Sequence, residues 1–164
     1  MVIVKEKKSN LDCQWNRFGD KFVIGSSSGF VYQCTYNEAQ KFWVAEQDRK
    51  ARHTDSVIQV RYDPGSGHVV ASVSLDGTVQ IKSCYNADID STHDASGLFA
   101  GIRTSGVTVF KFNPGQWINS FSFSPSGEQF VWASKYYLCA NATFFINLSS
   151  RFGTTLLRHR CGSG

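Results

Sequence analysis

Histidine and cysteine are the residue types in this chain best suited to chemistry, because they bind metals and act as bases or nucleophiles. Four histidines are present, none of them at a zinc-ligand spacing from a cysteine or a carboxylate: His53, His68, His93 and His159. We expect these histidines to lie exposed in loops and to bind no metal.

The five cysteines are odd in number, widely scattered and never arranged as C-x-x-C: Cys13, Cys34, Cys84, Cys139 and Cys161. This pattern is typical of reduced thiols and indicates a reducing cytosol. Cys34 and Cys84 lie beside aromatic residues on predicted strands, where a cysteine packs as a small hydrophobe. No histidine is near either of them in sequence, so the sequence does not predict an activated thiol.

Other catalytic and cofactor motifs are missing from the sequence, including the G-x-S-x-G elbow, the Walker loop and G-x-G-x-x-G. The run from Ser26 to Gly29 is flanked by predicted strands, so it is interpreted as a hairpin turn and not as a phosphate cradle. Asp88, Asp90 and Asp94 lack the glycine and glutamate of a calcium loop and predict a solvated insertion. The sequence therefore predicts no enzyme, no cofactor and no metal.

One short basic cluster is a candidate partner-binding site, because it follows a predicted outer strand where propeller loops gather on one face: Arg49, Lys50, Arg52 and His53. The alternative is a solvated basic loop balanced by neighbouring acids: Glu46, Asp48 and Asp55.

The formal net charge of +4 does not indicate a nucleic-acid partner, because residues 1–128 hold equal numbers of basic and acidic side chains. The excess lies at the end of the chain: Lys135, Arg151, Arg158 and Arg160. The apolar run after Met1 is too short for a signal peptide, and no segment reaches the roughly 18 apolar residues of a spanning helix. We expect a soluble, cytoplasmic protein.

An aromatic residue, a polar turn and a hydrophobic β-run recur three times with the same internal spacing. Trp15 precedes Phe22 by seven positions, Tyr62 precedes Val69 by seven, and Phe123 precedes Phe130 by seven. Between each pair lie turn-forming residues, with glycine or proline supplying the tight-turn dihedrals. Gly127 lies in the third of these turns. Two further turns follow the β-runs of the first and second copies and contain Gly29 and the pair Asp76-Gly77.

Alternating residues at 42–45 and 106–112 predict fourth, outer strands, so each unit has four strands, as a propeller blade does. The interval between the second and third copies of the repeat is longer than that between the first and second. It contains residues 86–105, which predict an exposed and mobile insertion before the outer strand. The predicted fold class is all-β, a WD-repeat β-propeller fragment of about three four-stranded antiparallel blades. An open antiparallel sandwich is the alternative. The Trp-Asp pair expected after the third strand is replaced by Ile81-Lys82 in the second unit.

Three stretches resemble blades of the actin-related protein 2/3 complex subunit 1 family: residues 22–44, 56–77 and 121–134. Their order and spacing carry the resemblance, which covers roughly residues 2–134. It implies a noncatalytic scaffold in the cytoplasm and cytoskeleton. The implied partners are the other subunits of the complex and actin filaments, with a role in actin nucleation and branching.

Two domains are predicted, a partial propeller at 1–134 and an unmatched tail at 135–164, because the pattern is lost from Lys135 onward. A truncated or misread gene end would explain that loss, and the later blades of the family are not expected here. The alternative functions are a WD-repeat scaffold of another intracellular complex and a hydrolase that uses Cys or His.

Overall fold

The computed structural model describes residues 9–47, 52–113, 117–136, 139–147 and 157–159. The first sheet contains four strands: β1 (Asn10–Trp15), β2 (Lys21–Ser26), β3 (Val31–Asn37) and β4 (Phe42–Gln47). The second sheet follows it along the chain: β5 (Val57–Tyr62), β6 (Val69–Ser74), β7 (Val79–Ser83) and β8 (Thr108–Phe112). One short helix, α1 (Ala87–Asp90), precedes β8.

The third sheet is built in the same way: β9 (Ile118–Phe123), β10 (Gln129–Tyr136), β11 (Cys139–Asn147) and β12 (Leu157–His159). Neighbouring strands of each sheet are consecutive in sequence and antiparallel. This arrangement confirms the predicted fold class.

The repeated aromatic residues occupy equivalent positions, because Trp15, Tyr62 and Phe123 are each the last residue of the inner strand. The residue after each of them caps the following turn with a side-chain oxygen. Asn16 Oδ1 accepts from Lys21 N at 3.3 Å, Asp63 Oδ1 from Val69 N at 3.1 Å, and Ser124 Oγ from Gln129 N at 3.1 Å. These caps fix the register of the first hairpin in each sheet.

Two apolar clusters hold the sheets together. The first lies between the first and second sheets and contains Val23, Val60 and Val70. The second lies between the second and third sheets and contains aromatic side chains such as Phe130 and Trp132. Strand β6 is buried along its whole length, because a sheet covers each of its faces.

The segment at 86–105 is mostly exposed, as expected, but it is not solvated throughout. It contains α1, and the side chains of Asp90 and Phe99 are buried. The expected boundary after residue 134 falls inside β10, and β11 and β12 complete the third sheet from the segment predicted to be an unmatched tail. Within the described residues, no helix is long and apolar enough to cross a membrane.

Candidate partner-binding loop face and the insertion clasp

Three loops meet at one end of the first two sheets, and we call this surface the loop face: residues 27–30, 52–56 and 75–78. Backbone contacts join the loops directly, since His53 N donates to Gly29 O at 2.9 Å and Leu75 N donates to Ser56 O at 2.9 Å. Gly29 has φ +85°, and a Cβ at this position would lie 2.4 Å from the carbonyl oxygen of His53. Only glycine fits this contact.

His53 lies beneath the loop face and is 1% exposed. Its Nδ1 is 2.9 Å from Thr78 Oγ1, and its Nε2 is 2.8 Å from Ser72 Oγ. The Thr78 hydroxyl donates in turn to Asp76 Oδ1 at 2.6 Å, and the Ser72 hydroxyl lies 3.4 Å from the carbonyl oxygen of Gln80. Burial lowers the pKa of His53, although the Asp76 carboxylate opposes that shift. The ring therefore connects the β4–β5 loop to strand β6 and to the β6–β7 turn.

Asp76 forms the other half of this network. Its Oδ2 accepts from Thr54 N at 2.8 Å and its Oδ1 from Thr78 N at 2.8 Å. Burial alone acts to raise the pKa of Asp76, but the hydrogen bonds from Thr78 and Thr54 outweigh burial and lower the pKa to about 2. Gly77 follows with φ +78°, so the Asp-Gly pair forms the tight turn between β6 and β7.

Arg52 is the exposed cation of the loop face. Its Nε donates to Ser28 O at 2.9 Å, and its guanidinium carbon lies 4.9 Å from the centre of the Phe30 ring. These two contacts orient the guanidinium, whose terminal nitrogens are suited to an acidic group. Arg49 and Lys50, the other basic members of the predicted cluster, lie outside the described residues.

The histidines correct one expectation from the sequence. His53 and His68 are both buried, so they are not exposed loop residues, and the side chain of His53 is not available to a partner. The sequence did not indicate the burial of His53, because its polar partners lie 19 and 25 positions further along the chain. Among the described residues, no group of three or more His, Cys, Asp or Glu side chains is arranged to hold a metal ion.

At the other end of the sheets, the 86–105 segment is attached to the first sheet by a set of charges that we call the insertion clasp: Asp20, Lys21, Asp90 and His93. Lys21 Nζ is 2.6 and 2.7 Å from the two carboxylate oxygens of Asp90, and both side chains are fully buried. The same ammonium donates to the carbonyl oxygens of Gly67 at 3.2 Å and Cys84 at 3.3 Å. All three ammonium donors are thus used.

His93 completes the insertion clasp. Its Nε2 lies 2.8 Å from Asp20 Oδ2, and its ring stacks on Phe18 at 4.0 Å between centroids. The expectation that Asp90 belongs to a solvated acidic loop is therefore wrong, because a lysine from β2 neutralises it in the interior. A lysine at the start of an apolar run was the only local sign of this pair, and nothing in the sequence indicated a partner 69 positions away.

Cys34 and Cys84 are buried, as expected for small apolar side chains, and Cys13 is exposed. Burial raises the pKa of the Cys34 thiol to about 12 and that of Cys84 to about 12. A thiolate, which is the nucleophilic form, is therefore strongly disfavoured at both positions.

The fold is similar to that of a solved structure, although no protein-family model matches the sequence. The structure superposes on the β-propeller domain of Cps50 (Swd1) from Myceliophteria thermophila with a TM-score of 0.64 at 15% identity. The alignment covers 93% of this chain and 43% of that one. With its three four-stranded sheets, the chain is a WD-repeat β-propeller fragment of about three blades.

Sequence comparison gives a more specific likeness. The chain is 28% identical over 129 residues to actin-related protein 2/3 complex subunit 1A of Arabidopsis thaliana, covering 78% of this chain and 33% of that protein. It is 24% identical over 137 residues to subunit 1A-B of Xenopus laevis, covering 82% of this chain and 36% of that protein. The chain thus spans about a third of the length of these relatives. The resemblance to subunit 1 drawn from the motifs is confirmed.

Proposed function

We propose that this chain is a noncatalytic scaffold subunit of an assembly like the actin-related protein 2/3 complex. In this role it supports actin filament nucleation and branching through protein–protein contacts in the cytoplasm and cytoskeleton. The observation that carries the proposal is the similarity to subunit 1 over about four-fifths of this chain, at 78% and 82% coverage. Blade-like sheets in sequence order provide the surfaces that such a role requires.

The internal use of the reactive side chains supports a binding role. Both ring nitrogens of His53 are hydrogen-bonded, one to Thr78 and the other to Ser72. Burial raises the pKa of the Cys34 and Cys84 thiols to about 12. These groups stabilise the sheets and are not free to act as a base or nucleophile. A hydrolase that uses them is therefore disfavoured.

The loop face is the contact surface that we propose for a partner subunit, with Arg52 at its centre. The loops are joined by backbone hydrogen bonds, so the face is preorganised and loses little conformational entropy on binding. The exposed guanidinium over Phe30 favours an acidic segment on the partner. Basic residues at 49 and 50 would add to that attraction.

The test is affinity purification of the tagged 164-residue chain from cells that contain the actin-related protein 2/3 complex, followed by mass spectrometry. We expect the actin-related subunits to be enriched over a tagged propeller of unrelated origin. Recovery of the subunits of a different complex, with no actin-related subunits, would refute the proposed function while leaving the propeller fold intact.

A further inference from the structure

The 86–105 segment, which we call the strap, leaves the second sheet and returns to it at one point. Ser83 N donates to Val107 O at 2.8 Å, and Gly106 N donates to Ser83 O at 3.1 Å, so the two ends of the strap lie side by side at the end of the β7–β8 pair. All residues of the strap are described, and none of them belongs to a strand. Sheet pairing therefore does not hold the strap in place.

The near end of the strap is anchored to the first sheet by the insertion clasp and by the stacking of His93 on Phe18. Its middle lies between the first turns of two sheets. Arg17 Nη1, from the turn of the first sheet, donates to Gly65 O at 2.8 Å and lies 3.4 Å from Ser96 Oγ. A Cβ on Gly65 would be 2.6 Å from Ser96 O, so the strap backbone lies directly on the turn of the second sheet.

The far end of the strap reaches the third sheet. Phe99 is 5% exposed and belongs to the apolar cluster between the second and third sheets, with its ring centroid 6.5 Å from that of Phe123. Ile102 packs on the same cluster. A Cβ on Gly97 would lie 3.5 Å from Ser126 O, in the first turn of the third sheet. The strap thus lies against the first turn of each sheet.

The strap has little regular structure to hold its shape. Apart from the four residues of α1, it contains only turns, bends and irregular chain. One turn of helix is not stable by itself in water, because fixing its dihedral angles costs more than its hydrogen bonds contribute. Ordering the rest of the strap also costs conformational entropy, and several anchors together must offset that cost. The insertion clasp and the Phe99 contact are therefore expected to depend on each other.

We propose that the strap docks and releases as one unit and that, when docked, it makes the three sheets open together. Its anchors belong to different sheets, so local opening of the first sheet or of the third removes one anchor. The strap then leaves the remaining sheets as well, since the other anchor cannot hold it alone. Such coupling is a property of the fold and does not rest on the proposed function.

Native-state hydrogen exchange followed by NMR tests the proposal with the 164-residue chain. Phe99→Ala removes the far anchor, and the amide to follow at the near end is Asp90 N, which donates to Asn86 O at 2.8 Å. We expect its exchange to become at least about tenfold faster relative to the amides of β6, which report global unfolding. Leu98→Ala changes an exposed side chain of the strap and should leave this ratio as in the wild type.

A shortened chain tests the coupling of the sheets. Replacing residues 87–104 with Gly-Gly removes the strap and keeps the β7–β8 pair, because the ends of the strap are adjacent. The shortened chain also carries Lys21→Met, so that no ammonium is left without its carboxylate. We expect the amides of β2 to exchange at least about tenfold faster relative to those of β6 than in the wild type. An unchanged ratio would show that the strap does not couple the first sheet to the second.

Urea denaturation of Lys21→Met, Phe99→Ala and the double variant gives a further measurement. Lys21 contacts Asp90, whereas Phe99 packs between the second and third sheets, and separate sites of this kind normally act independently. Because the strap releases as one unit, the double variant should raise the equilibrium constant for unfolding by at least about tenfold less than the product of the two single effects. Phe99→Leu keeps an apolar side chain in the cluster and gives the same comparison with a milder change. Single effects that simply multiply, or wild-type exchange at Asp90 in Phe99→Ala, would overturn the proposal.

Discussion

Replacing Lys21 with methionine tests the insertion clasp most directly, because methionine keeps the length of the side chain and removes its charge. In the wild type the ammonium contacts both Asp90 oxygens, at 2.6 and 2.7 Å, inside the protein. After Lys21→Met the carboxylate stays buried, with a backbone donor from Asn86 N at 2.7 Å and His93 Nδ1 at 3.8 Å. An uncompensated buried charge results.

The size of the effect follows from two opposing contributions. At an effective dielectric constant of about 20, an attraction over 2.6 Å amounts to about 6 kcal/mol. Desolvation of the two ions costs several kcal/mol each and cancels most of that attraction, so the net contribution of the pair is small. Removing one partner leaves the other's desolvation uncompensated, and we expect unfolding to become easier by about 3–5 kcal/mol.

The assay is urea denaturation followed by tryptophan fluorescence at one low protein concentration. The matched control is Lys41→Met, which removes the same charge from the exposed Lys41–Glu38 pair at 2.9 Å and should cost less than about 1 kcal/mol. The double variant Lys21→Met/Asp90→Leu should be more stable than Lys21→Met alone, because no buried charge remains. Equal losses for Lys21→Met and Lys41→Met would refute the reasoning.

Three further outcomes are expected. Gly77→Val should lower the free energy of unfolding by at least about 1 kcal/mol, because φ is +78° at this position; Gly101→Val, which has open space around it, should cost less in the same melt. The lowered pKa of Asp76, about 2 against the ordinary 3.8, contributes stability that is present above pH 4 and lost as the pH falls toward 2. Acid titration should therefore show a steeper loss of stability in that window for the wild type than for Asp76→Asn. Arg52→Glu should reduce recovery of partner subunits in affinity purification at least about tenfold, and an equal reduction by the exposed Arg103→Glu would contradict a specific role for Arg52.

Local sequence signals predicted most of the strands and turns, because tight turns and hairpin register depend on residues that are close together in the chain. The seven-residue interval put Trp15 in register with Phe22 and Phe123 with Phe130, as the structure has them, but in the second sheet Tyr62 pairs with Val70 and not with Val69. Turn chemistry at Asp76-Gly77 needs only a few adjacent residues, and glycine takes the positive φ there. The third sheet was only half predicted, since β11 and β12 come from a stretch without the repeated pattern.

The candidate sites depended on residues far apart in sequence, so they were predicted poorly. Arg52 of the basic loop is exposed, and its role in partner binding stays a prediction, but His53 beside it turns inward to Ser72 and Thr78. Nothing local distinguishes a histidine that leaves a loop for the core from one that stays in solvent. His53 comes within hydrogen-bond distance of these partners because β5, which follows its loop, pairs with β6.

The sequence by itself determined the strand order of the first two sheets, the position of each aromatic strand end and the likeness to a WD-repeat subunit, since each depends on the spacing of residues that are close together in the chain. The tertiary structure alone decided where charge is buried. Lys21 and Asp90 meet across 69 positions because two sheets and an insertion converge there, and their pairing depends on the low dielectric of that interior.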